Sequence, residues 1–276
     1  MIQKTLKIEH GIAVYIVICF FSAALFSCTK TMTPDELNFE YKDYLVVDGM
    51  ITTEKKEHKI VLSHTIDFAG VDTPRMETGA KVSVTNGDTT VNLTEKTTGE
   101  YVTAPDFSGV VDKTYTLNIL LTNGRQYSAS CYLKPAMVID TMYAKYEFEQ
   151  YSIYLKAHSK KGEASCIMNL FVNDSLITQK LKDKKVYAMG GFYERLFGLS
   201  ENMLPKDTSW IGIQMNSIPY EMFEYIDDVK NETIYNVEIF RTLPANVRTN
   251  ISEGGIGYFL ASDVKMTKVK IVKSNK

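Results

Sequence analysis

The residues that could do chemistry beyond position 28 are three histidines (His58, His64, His158), two cysteines (Cys131, Cys166) and the carboxylates Glu221, Glu224, Asp227 and Asp228. A Ser-His-Asp hydrolase would need one imidazole beside a serine on a strained turn, and the chain contains no G-x-S-x-G elbow. His58 and His64 fall on one face of the same expected strand, but six residues of strand span about 20 Å, too far for shared ligation. No cysteine has metal-ligand spacing with a histidine, and no D-x-D-x-D-G calcium loop occurs. The four carboxylates recur at helical spacing and read as a solvated face. Glycoside hydrolysis would need two of them about 5–9 Å apart, a dispersed pair that sequence spacing does not reveal. Gly254-Gly255-Ile256-Gly257 lacks the Lys-Ser/Thr and the following helix of a phosphate cradle. It reads as a tight turn into an edge strand at Tyr258-Phe259-Leu260.

Aromatic residues offer binding in place of catalysis. Tyr143, Tyr146, Phe148, Tyr151 and Tyr154 could stack on sugar rings. Strand alternation separates Tyr143 from Tyr146 and Phe148, so most of the set is expected in a core. Residues 187–197 (YAMGGFYERLF) read as a long, adaptable loop around Gly190-Gly191, with Phe192, Tyr193 and Phe197 as the candidate partner or ligand contacts. No catalytic, metal or cofactor residue is assigned.

The leader carries the sharpest signal. Lys4 and Lys7 precede an apolar run that closes at Leu25-Phe26-Ser27-Cys28, a secretory pattern with a cysteine just after the small residue. It resembles a bacterial lipobox, with residues 1–27 as signal peptide and Cys28 as the site of lipidation (palmitate among the acyl chains). An uncleaved spanning anchor and simple cleaved secretion are the other readings; a span needs about 20 apolar residues, slightly more than are present. Several acyl chains on one cysteine would hold the protein at a membrane, whereas one binds only marginally.

The elements that must position these residues are mainly β. About 249 residues follow the leader, enough for one large or two ordinary domains. The formal charge of −2 with no basic block argues against nucleic acid as a partner. Residues 28–43 read as a tether. Residues 44–135 read as a β-sandwich: Leu45-Val46-Val47 stops at an Asp48-Gly49 turn, and Asn86-Gly87 and Asn123-Gly124 each supply a type I′ hairpin. Pro135 marks a boundary. Residues 136–276 read as a β-rich domain with one amphipathic helix near 219–230, where Met222, Phe223, Ile226 and Val229 recur at helical spacing. A further strand is expected at 234–240. Cys131 and Cys166 fall in different expected domains and read as small buried residues more readily than as a bridge.

The stretches Tyr44-Leu45-Val46-Val47-Asp48-Gly49-Met50-Ile51, Gly79-Ala80-Lys81-Val82-Ser83-Val84, Lys113-Thr114-Tyr115-Thr116-Leu117, Leu243-Pro244-Ala245-Asn246-Val247 and Gly254-Gly255-Ile256-Gly257-Tyr258-Phe259 together resemble the Bacteroidota lipoproteins called domain of unknown function 4249. The first domain also resembles transthyretin-like and carboxypeptidase-regulatory-like sandwiches within the immunoglobulin-like class. The resemblance implies a non-enzymatic, outer-membrane-anchored accessory to a TonB-dependent receptor in ligand or nutrient uptake. It carries no catalytic residues. Asp35 and Glu36 come late after Cys28 for a surface-export signal, which leaves the membrane face open. A glycan-binding surface module is the alternative, and a hydrolase with dispersed carboxylates the third reading.

Overall fold

A computed structural model describes residues 42–66, 73–160, 162, 164–179, 184–204, 208–233 and 247–272. The leader, Cys28, the tether up to residue 41 and the strand expected at 234–240 lie outside the described residues, as do residues 243–246 of the fourth family stretch.

The chain is mainly β, as its patterning predicts. In order come β1 (Leu45–Thr52), β2 (Lys59–His64), β3 (Lys81–Thr85), β4 (Thr90–Asn92), β5 (Thr94–Thr97), β6 (Glu100–Val102), β7 (Thr114–Leu120) and β8 (Gln126–Tyr132). Then follow β9 (Val138–Glu147), β10 (Gln150–His158), β11 (Ala164–Val172), β12 (Ser175–Leu176), β13 (Lys185–Met189), β14 (Gly191–Leu199) and β15 (Thr208–Ile218). Helix α1 (Tyr220–Thr233), β16 (Ile256–Ser262) and β17 (Val264–Val272) close the described chain. Alternation creates these strands: in β7, Tyr115, Leu117 and Ile119 are buried while Thr114, Thr116 and Asn118 face away.

Two sheets, β16-β1-β2-β6-β5 and β4-β3-β7-β8, enclose one hydrophobic core that includes Val47, Ile60, Leu62, Val84, Leu117 and Phe259. Two others, β14-β10-β9 and β12-β11-β15-β17 with β13 beside β11, enclose a second around Ile153, Leu155, Met168, Ile213 and Met215. Each such buried aliphatic side chain contributes about 1.5–3 kcal/mol. The split at residue 135 does not describe the first sandwich completely. β16 pairs parallel to β1 from Val46↔Ile256 to Thr52↔Ser262, so a strand from the far end of the sequence completes that sheet. Helix α1 likewise leans on the first core through Ile226, Met222 and Phe223.

Three turns differ from expectation. Asp48-Gly49 is not a turn: β1 runs straight through it, with Ile60 Cδ1 lying over Gly49, 2.6 Å from where a Cβ would stand. Asn86-Gly87 and Asn123-Gly124 turn the chain without type I′ geometry, since only the glycines take positive φ. Asn86 and Asn123 instead accept backbone N–H bonds through Oδ1, from Asp88 and Thr89 and from Arg125. Turns with positive φ at both central residues occur where no glycine announces them, at Phe148-Glu149 and Asn173-Asp174.

Asp263, between β16 and β17, ties the two sandwiches together. Its carboxylate, on a residue only 4% exposed, accepts bonds from the Thr53 hydroxyl (2.8 Å) and the Ala136 N–H (2.9 Å). Its own N–H donates to Ser217 Oγ (2.8 Å), whose hydroxyl donates to the Lys134 carbonyl (2.7 Å). Residues from β15, the Pro135 linker, the end of β1 and the β16–β17 joint therefore meet in one network.

Candidate functional site

The histidines, Glu224 and Asp228 are structurally employed. His58 is buried; its Nδ1 accepts from the Thr52 N–H (3.3 Å), and its Nε2 donates to the Glu54 carbonyl (3.1 Å). Burial holds its pKa below the usual value, with the Glu54 carbonyl opposing in part. His64 has Asp43 at 2.7 Å on Nδ1 and Glu77 at 2.8 Å on Nε2, leaving no ring nitrogen for a substrate. Exposed His158 pairs with Asp140 at 2.9 Å. On α1, Glu224 and Asp228 face Arg248 at 3.1 and 3.6 Å, as an ion-paired helix surface would. Both cysteines are free and buried in separate cores, and burial pushes the Cys166 thiol up to about 12. Gly257 answers to packing: at φ +94 its Cβ would sit 2.1 Å from the Val47 carbonyl oxygen, so only glycine lets β16 dock on β1.

The predicted 187–197 loop is instead two strands. β13 pairs with β11 in one sheet and β14 pairs with β10 in the other, and Gly190-Gly191 is the corner between them. Phe192 and Phe197 are consequently packed on the second core, with Phe192 stacked on Tyr187 at 4.7 Å. A register shift opposite Ile153/Tyr154 lets adjacent Leu196 and Phe197 both reach that core. Tyr193 alone of the three candidates is well exposed, at 58%.

Tyr193 is joined by residues that the expectation of a core assigned elsewhere. Tyr143 and Tyr154 lie directly opposite one another on β9 and β10, with rings parallel and centroids 5.0 Å apart. The Tyr154 and Tyr193 centroids are 6.3 Å apart, and the Tyr143 and Tyr193 hydroxyls are hydrogen-bonded to each other. The Tyr154 hydroxyl donates to Glu147 Oε1 (2.5 Å), and Lys145 pairs with Glu147 at 3.0 Å. Of the original aromatic set only Tyr151 is a core residue; Tyr146 packs edge-on against it. Phe148, at the tip of the β9–β10 turn, is 80% exposed.

On this face Tyr143 is shifted upward and Glu147 downward, both away from neutrality. The Tyr193 hydroxyl pushes Tyr143 up to about 12, and the Tyr154 and Lys145 bonds hold Glu147 down at about 2. Near neutral pH Tyr143 and Tyr154 stay protonated, Glu147 ionised and Lys145 charged. Tyr143 stacks on Tyr154 and so covers one face of that ring. Lys145 and Glu147 were not singled out in the sequence. They come together through the two-residue turn at 148–149, which places 143 opposite 154 and 145 opposite 152 and which no turn residue announces in the sequence.

The fold and this surface define a mainly β, two-sandwich protein with a tyrosine-rich outer sheet face. The chain belongs to the family described as Domain of unknown function (DUF4249), whose match covers residues 31–268. No curated protein matches it. Among the described residues, no helix is long and apolar enough to cross a membrane.

Proposed function

We propose that this protein is a lipid-anchored, non-enzymatic envelope accessory, attached through Cys28 to the outer membrane, that docks on a TonB-dependent receptor through the outer face of the β14-β10-β9 sheet. One observation carries the docking surface: Tyr143, Tyr154 and Tyr193 project as a hydroxyl-bonded cluster beside a protruding Phe148. Tyrosine gives large, rigid contact area at small entropic cost, and such residues dominate the energetic centres of protein interfaces. Lys145, Glu147 and Arg195 supply a charged surround that favours register over raw affinity. The stacking of Tyr143 on Tyr154, which covers a ring face of each, supports a protein partner over a flat sugar. The receptor assignment follows from the family resemblance, and the anchor from the lipobox-like leader.

The test is a photo-crosslinker placed at Tyr193 in the full-length protein in its own cells. The reading expects a barrel-sized receptor to be captured from position 193 and not from Thr116, on a sheet of the other sandwich. Equal capture from both positions, or capture of no receptor from 193, would sink it.

A further inference from the structure

A second surface, on the opposite sandwich, is built for a different ligand. The outer face of the β4-β3-β7-β8 sheet holds a shallow groove of about 800 Å³. Across its floor runs one row in register: Asn92 on β4 opposite Ser83 on β3, Ser83 opposite Asn118 on β7, and Asn118 opposite Ser128 on β8. Ser252 extends the row, because its N–H donates to the Ser128 carbonyl and its Oγ accepts from the Ser128 N–H, both at 2.8 Å. Arg125, held 5.2 Å over the ring of Tyr127, also lines the groove, as do Lys81, Gln126 and Glu253, so both signs of charge occur along it.

One feature sets this row apart from an ordinary solvated sheet face. Asparagine is among the residues depleted in strands, where threonine, valine and aromatics normally sit, yet Asn118 occupies the middle of β7 and Asn92 ends β4. Local conflicts of this kind concentrate at functional positions. The side chains of Asn92, Ser83 and Asn118 have no hydrogen-bond partner among the described residues.

We infer that this groove binds an extended, neutral carbohydrate chain. Amides and hydroxyls each both donate and accept, which matches sugar hydroxyls, whereas an anion or cation would call for one sign of charge along the floor. Strands repeat every 4.8 Å or so, giving the five-residue row a length of about 19 Å. That repeat is close to one ring of an extended sugar chain, so successive hydroxyls meet successive side chains. The inference does not depend on the receptor docking above: it uses another sheet and another partner.

The experiment titrates the full-length protein in mild detergent with cellohexaose, xylohexaose and their disaccharides by calorimetry. At least one hexasaccharide is expected to bind saturably and about tenfold more tightly than its disaccharide. The Asn92→Ala/Asn118→Ala variant, altered only at exposed positions, is expected to lose about tenfold in affinity with its melting temperature unchanged. Tyr193→Ala should bind as the wild type does. Absence of saturable binding by both hexasaccharides overturns the inference, as does binding that the double variant retains in full.

Discussion

At the scale of single residues, the side chains that first suggested chemistry turn out to be fasteners. His58 is held neutral inside the first sandwich, with its pKa below the usual 6.5 chiefly through burial. The unfolded chain therefore takes up that proton first as pH falls. Stability from this site is complete above about pH 6.5 and is lost as pH drops from there toward the folded-state value. Urea melts of the wild type and His58→Phe at pH 7.5 and 5 should show the variant with the shallower acid loss. Equal losses would remove His58 as the cause. Asp263 is the costlier residue to disturb. Asp263→Ala strands the Ala136 N–H and the Thr53 hydroxyl, at about 2–4 kcal/mol by denaturant titration. The two thiols are both buried, so a thiol reagent should label neither Cys131 nor Cys166 until the protein is unfolded.

At the scale of elements, hydrophobic alternation made most strands readable, and helical spacing placed α1 within a few residues of its observed bounds. Alternation depends only on which side chain faces the core, and that information is local. Glycine was the less dependable guide. Asp48-Gly49 reads as a turn in sequence, but Gly49 lies within β1 against Ile60, a contact that only the assembled sheet creates. The Phe148-Glu149 reversal carries no turn signature, so the opposition of Tyr143 and Tyr154 that follows from it was hidden as well. The same turn makes a prediction. Both residues occupy the left-handed region, which glycine and asparagine tolerate better. Replacing Phe148-Glu149 by Asn-Gly should raise stability by about 1 kcal/mol in thermal melts while weakening receptor capture. A destabilised variant would mean the turn is unstrained. In β16, Gly257→Ala should cost about 3 kcal/mol or more, because backbone stands where the methyl must go.

At the scale of the whole molecule, the two sandwiches are not beads on a string. The first sheet takes β16 from beyond residue 250, and the chain passes from Ser262 to Val264 directly into the second. No pattern within residues 44–135 reports that a strand is missing, which is why a linear boundary looked sufficient. A fragment of residues 42–135 should consequently lack the cooperative thermal transition of the full chain in circular dichroism. A fragment that melts as sharply as the whole would show that β16 is dispensable.

The parallel pairing of β1 with β16 also sets a timetable. Val46 and Ile256 are partners across most of the chain's length, and such distant closures are slow because the loop entropy must be met before the contact rewards it. While the polypeptide emerges from its N-terminal end, β1 has β2 to pair with on one side and an open edge on the other. An open edge is a template for the wrong strand. The first sandwich to appear thus stays unfinished until β16 has been made, and the β1 edge that β16 covers lies open until then.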